Sequence, residues 1–128
     1  MSEQFKVVAG AGSFRSGDGA RFPHHWTDGG VSVETAFTGG HLLNLAAAGC
    51  VLNDLYREAA NLGVELAGVR VSAVGGFDTE TWQSTGITYT VELASLASQE
   101  ELDRLLAVVD AVAEIPRALR AGMTVHRG

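Results

Sequence analysis

The stretch Thr38-Gly39-Gly40-His41-Leu42-Leu43-Asn44-Leu45-Ala46-Ala47-Ala48-Gly49-Cys50-Val51-Leu52-Asn53-Asp54-Leu55-Tyr56-Arg57-Glu58-Ala59-Ala60-Asn61-Leu62-Gly63 decides how the rest of the chain is read. It contains no Pro and closes on Gly, the residue that most readily takes the left-handed conformation ending a helix, so it predicts one long helix to about Leu62. Its two halves differ. From Leu42 to Leu52 the sequence is apolar nearly all round, which predicts a helix enclosed on every side. Beyond that, Leu52, Leu55, Tyr56, Ala59 and Leu62 form an apolar stripe, while Asn53, Asp54, Arg57, Glu58 and Asn61 lie away from it, so this end is expected to reach solvent. The apolar half falls well short of the roughly 20 residues of a bilayer span and is interrupted by Asn44, so no membrane association is expected.

On the amino-terminal side, residues 5 to 37 predict short strands joined by Gly-rich turns: Phe5 to Ala9, a segment around Ser13 to Arg15, Ala20 to Trp26, and Val31 to Phe37, as an antiparallel meander. On the other side, Val69, Val71 and Ala73 alternate with Arg70 and Ser72, and a polar loop from Asp78 to Thr85 leads to a second strand, Gly86 to Ala94. Its Ile87, Tyr89, Val91 and Leu93 share one face, so the two make a long hairpin with one wet side. Ser98-Gln99-Glu100-Glu101 has the form of a capping box, and the stripe Leu102, Leu105, Leu106, Val109, Val112 and Ala113 predicts a second helix. Pro116 disfavours helix at Ile115, so a short turn to Ala121 and a terminal strand, Met123 to His126, are expected. The order of elements is that of an α+β domain.

At 128 residues and 13.4 kDa the chain fits a single domain, residues 1–128, large enough to bury roughly two thirds of its unfolded surface without metal or disulfide staples. Its one Cys rules out an internal disulfide, a Cys-rich zinc ribbon and an internal dithiol couple. With 15 acidic against 9 basic residues it lacks the basic footprint of a nucleic-acid binder. The start, Met1 to Lys6, does not read as a secretory signal, and a cytoplasmic protein is the expectation.

Cys50 is the one conventional nucleophile, although free Cys is also among the most buried residue types. It lies more than two turns into its helix, beyond the reach of that helix's dipole, so a reactive thiolate needs a cation from another segment. Arg15 and Arg21, on or beside the amino-terminal strands, are the candidates, with a solvated surface Arg as the plainer reading of each. His24 and His25 point to opposite faces of a strand and, with His41 and His126, make a poor metal site; neither metal nor cofactor is expected. Gly10-Ala11-Gly12 is only a fragment of a dinucleotide fingerprint. Asn53, Asp54 and Glu114 could act beside a thiol, but ordinary helix-surface polarity accounts for them. Phe22, Trp26, Phe37, Tyr56 and Trp82 read as core packing.

The Ala-rich helix with Cys50 midway, followed by Gly68-Val69-Arg70-Val71 entering a strand and by Pro116-Arg117-Ala118-Leu119 before the last strand, resembles the OsmC/Ohr superfamily of osmotically inducible and organic-hydroperoxide-resistance proteins. The resemblance implies an intertwined homodimer whose sheets enclose the central helices and set the reactive Cys at the subunit interface. It implies reduction of organic hydroperoxides in an oxidative stress response, with Cys50 attacking the peroxide and passing through a sulfenic acid. The activating Arg falls on Arg15, with Arg21 as the alternative register. Two departures stand out. Where the family keeps its resolving Cys before a Pro, this chain has Ile115. Where the hydroperoxide-resistance branch has a Glu ten residues before the reactive Cys, it has Gly40. The resemblance thus implies a peroxidase with a single Cys and an external thiol reductant, or alternatively a non-catalytic module binding a small apolar or thiol-bearing ligand at the dimer interface.

Overall fold

The computed structural model describes residues 4–128; Met1, Ser2 and Glu3 of the amino-terminal segment lie outside the described residues. Strands β1 (Val7–Gly12), β2 (Ala20–Phe22) and β3 (Val31–Glu34) precede helix α1 (Gly39–Leu62). Strands β4 (Gly68–Phe77) and β5 (Ser84–Ala94) follow, then helices α2 (Gln99–Val112) and α3 (Glu114–Ala121). The strands form one antiparallel sheet in the order β2-β3-β1-β4-β5. The amino-terminal strands are therefore not a meander: β1 pairs with both β3 and β4, and β2 is left at the edge. Alternation identifies a strand but leaves its neighbour open, because pairing is settled by contacts far apart in sequence.

Residues two apart on a strand share a face, and the register lines up Ala20, Val33, Ala9, Val71 and Val91 across the sheet. Val7, Ala11, Val69 and Ala73 lie on that same side and are fully buried, packing with Ala48, Val51, Leu52, Leu55 and Ala59 of α1. Leu105 and Val109 of α2 join the same core, so α1 lies between the sheet and α2. The opposite side is wet. There Arg70 and Glu92, directly opposed in register, make a two-pronged ion pair at 2.6 and 2.8 Å, and the Arg70 guanidinium covers the Phe14 ring.

Helix α1 begins at Thr38, whose hydroxyl accepts the His41 N–H, and ends at Gly63 with φ 72°, as its sequence predicts. Ser98 and Glu101 form the expected capping box on α2. The expected stripe Leu52, Leu55, Tyr56 and Ala59 is buried and Asn53 and Asn61 are exposed, but burial departs from expectation at both ends of α1. Leu42 and Ala46 of the apolar half are exposed, whereas Asp54 of the polar half is buried. The reason is that α2 and α3 fold back over α1, while nothing among the described residues covers the Leu42 side.

Asn44 is 2% exposed and its amide donates to the Phe5 and Gly75 carbonyls at 2.9 and 3.1 Å, tying the amino-terminal segment to β4. Asn44→Ala strips both carbonyls of that donor in a closed site and is expected to cost about 1–3 kcal/mol in urea unfolding at fixed protein concentration. An unchanged midpoint would show that water replaces the amide freely.

The break after α2 falls at Ala113, whose ψ of 123° is extended, and not at Ile115. Pro116 becomes the third residue of α3, inside the first turn, where its missing N–H is not needed. A helix therefore replaces the expected turn. Met123 to His126 forms no strand, pairing with none of the strands among the described residues, and Met123 and Val125 stand exposed. Among the described residues no helix is long and apolar enough to cross a membrane.

Candidate functional site

The site is made where α3 folds back on α1. Ala113, the residue capping α3, has no side chain able to accept a first-turn amide, and Pro116 has none to offer. The orphan N–H of Ile115 instead points to the Cys50 sulfur at 3.5 Å. Cys50 thus meets a helix amino terminus after all, but that of α3 and not of its own helix. Expecting only a turn there, sequence reasoning had no means of finding it.

One turn along α1 from Cys50, Asp54 directs Oδ2 at the thiol at 4.0 Å. Glu114, the first residue of α3, completes a cluster in which Sγ and one oxygen of each carboxylate lie within 4.8 Å of one another. Arg57 supplies the positive charge, with Nη1 3.1 Å from Asp54 Oδ1 and 3.8 Å from Glu114 Oε1, while its Nε donates to Glu58. Asp54 and Glu114, which nothing in the sequence separates from other polar residues on a helix face, are the charged groups gathered at the thiol. The (i, i+4) spacing of Cys50 and Asp54 was the available signal, but it does not say that a later helix will bury them.

Burial pushes the Cys50 thiol up, and the negative charges of Asp54 and Glu114 add to this; the α3 amides of Ile115 and Glu114 oppose it without prevailing. Within one chain the thiol is therefore held protonated. Asp54 is itself pushed up to about 6, first by burial and then by its hydrogen bond to Glu114, with Arg57 pulling the other way. The backbone amide of Glu114 itself, and then that hydrogen bond, hold its carboxyl below the usual carboxylate range.

The two arginines singled out in the sequence are brought together, but around the Gly29 loop. The exposed Arg15 follows β1, and its guanidinium lies so close over Gly29 that a Cβ there would sit 2.1 Å from Nη1. Arg21 on β2 donates from Nη1 to the Gly29 carbonyl at 3.1 Å. The Arg15 charge bears on Tyr56, whereas the charges bearing on Cys50 are the two carboxylates. The histidines do not converge: His24 bonds Thr27 and Asn53, His25 lies against Trp26, and His41 bonds Thr38.

The place of the missing Glu is filled. Gly40 is buried beneath the Phe5 ring, and a Cβ there would come within 2.7 Å of it. Phe22, Trp26, Phe37 and Trp82 are exposed rather than in the core, which takes only Tyr56 of the five. Phe22 and Trp26 line a cavity of about 380 Å³ with His24, His25, Leu45 and Asn53. A second cavity, of about 330 Å³, lies on the Cys50 side of α1: Ala47, one turn before Cys50, and Pro116, next to Ile115, line it with Leu43, Ile87, Tyr89 and Leu119. Arg120 is its one charged lining residue.

The OsmC-like protein family matches residues 31–126 of this chain. No curated protein sequence matches it. Among solved structures, an OsmC-like protein from Mycoplasma pneumoniae superposes with a TM-score of 0.60 at 12% identity, over 94% of this chain and 89% of that one. An OsmC-like hydroperoxide resistance protein from Jannaschia sp. CCS1 superposes with a TM-score of 0.54 at 15% identity, over 95% and 91% of the two chains. At these identities the likeness is one of fold.

Proposed function

The chain belongs to the OsmC-like protein family, and on that premise we propose that it reduces organic hydroperoxides through Cys50, with an external thiol completing the cycle. The observation that carries this reading is the placing of the chain's one thiol: half-buried, met by the Ile115 amide, with Ala47 one turn before it and Pro116 next to Ile115 lining an apolar cavity that can take the organic part of a substrate. Sulfur attacks the outer oxygen of the hydroperoxide, the S–O bond forms as the O–O bond breaks, and the alkoxide leaves to be protonated to the alcohol. The resulting sulfenic acid condenses with an external thiol, releasing water, and a second thiol then frees Cys50 from the mixed disulfide. With Ile115 before Pro116 and no other Cys, resolution has to come from outside the chain.

Among the described residues of its own chain no cation bears on Cys50, and that role is assigned to Arg15, or in the other register to Arg21, of a second copy in a homodimer. Exposed Leu42, Phe37, Met123 and Val125 support such an assembly, as does the terminal segment with no strand of its own to join. Light scattering on the purified protein is expected to give twice the chain mass. Cumene hydroperoxide mixed with the protein and excess dithiol is expected to be consumed catalytically in the reducing conditions of a cytoplasm, and a rate no faster than dithiol alone would refute the reading.

One observation favours a second reading. The thiol is raised by burial and flanked by two carboxylates, which suits a non-catalytic module whose cavity holds a small apolar or thiol-bearing ligand. In that case the dithiol assay stays silent while the ligand protects Cys50 from alkylation.

A further inference from the structure

We infer that Asp54 is the proton carrier of this site, taking the Cys50 thiol proton as sulfur attacks and returning it to the departing alkoxide; the second half of this role rests on the hydroperoxide reading above. Within one chain the Cys50 thiol is protonated; a partner guanidinium favours the thiolate but cannot itself take the proton, which must pass to a base as sulfur attacks. Otherwise the product is a sulfonium-like cation in a half-buried place. The Ile115 amide can polarise the sulfur but has no capacity to accept a proton. Two groups can. Glu114 has a side chain 69% exposed and held below the usual carboxylate range, so it is the weaker base of the two. Asp54 has a side chain only 4% exposed, and the Arg57 guanidinium fixes Oδ1 at 3.1 Å, leaving Oδ2 turned to the thiol.

The groups facing Asp54 are Cys50, Arg57 and Glu58 from α1 and Glu114 from α3. Their balance suits the task. Asp54 is ionised and able to accept a proton above pH about 6, and once protonated it can hold that proton against Glu114 until the alkoxide leaves. An acceptor poised close to working pH is what general acid–base catalysis favours. The balance is complete: thiol and hydroperoxide become sulfenic acid and alcohol, and Asp54 ends as it began.

The test follows two rates against pH in wild type, Asp54→Asn, Glu114→Gln and Arg57→Gln: iodoacetamide alkylation of Cys50, and single-turnover loss of cumene hydroperoxide. Wild type is expected to show a step near pH 6 in both, below the thiol's own ionisation. Asp54→Asn should lose the step and slow the hydroperoxide reaction at pH 7 by about 10²-fold. Glu114→Gln removes influences that raise Asp54, so the step should move to lower pH. Arg57→Gln removes one that lowers it, so the step should move higher. Should Asp54→Asn fail to fold, these opposite shifts still decide the matter, since a merely structural Asp54 gives no step to move. An alkylation profile without the step, or one unmoved in both variants, overturns the inference. A step in alkylation without any loss of hydroperoxide refutes the hydroperoxide reading and leaves Asp54 as the thiol's proton acceptor.

Discussion

Cys50→Ser is expected to bring hydroperoxide consumption down to the rate of the dithiol alone. The change is small in volume, and a serine oxygen in the same place can still accept the Ile115 N–H that caps α3. Folding should therefore survive, as far-UV circular dichroism and a mass by light scattering equal to that of wild type would show. What disappears is the atom able to take an oxygen and give it up again to a thiol. No other thiol exists in the chain to substitute. A Cys50→Ser protein that keeps consuming hydroperoxide would place the reaction elsewhere and end the thiol account.

The second large effect concerns the missing cation. Arg15→Ala, by the family register, or Arg21→Ala in the alternative one, is expected to lower the hydroperoxide rate constant by about 10²–10³-fold, the scale for removing one preorganised charge from a site where charge develops. It should also move Cys50 alkylation to higher pH, because a nearby guanidinium is the main influence able to offset burial and two carboxylates. Both arginines also steady the Gly29 loop, so thermal unfolding has to be compared alongside. If neither substitution changes the rate or the alkylation profile, the thiol works without a cation and the cross-subunit assignment falls.

The α+β class, the long helix and its caps were legible because each rests on local chemistry: Thr38 and Gly63 at the ends of α1, Ser98 and Glu101 at the start of α2, and period-two alternation in β4 and β5. Long-range choices were not. Nothing in Ala20 to Phe22 says that this strand pairs with β3 at the sheet edge. Pro116 signals a break nearby, but whether the chain turns at Ala113 or Ile115 depends on how α3 packs on α1. That one displacement hid most of the site: it makes α3 a helix, aims the Ile115 amide at Cys50, and brings Glu114 to Asp54. Cys50 itself was visible as the sole thiol, and its place matched the family pattern. Its acidic neighbours were visible too, but only as residues that a solvated helix face would also carry.

Because Cys50 is the sole cysteine, its oxidation can be read directly, by mass spectrometry of the protein treated with cumene hydroperoxide in the presence of a sulfenic-acid trap such as dimedone. The account requires a trap adduct on the peptide carrying Cys50, formed as hydroperoxide is lost and suppressed when excess dithiol is present. Unmodified Cys50 with the hydroperoxide intact would contradict it and leave the ligand-binding reading in its place.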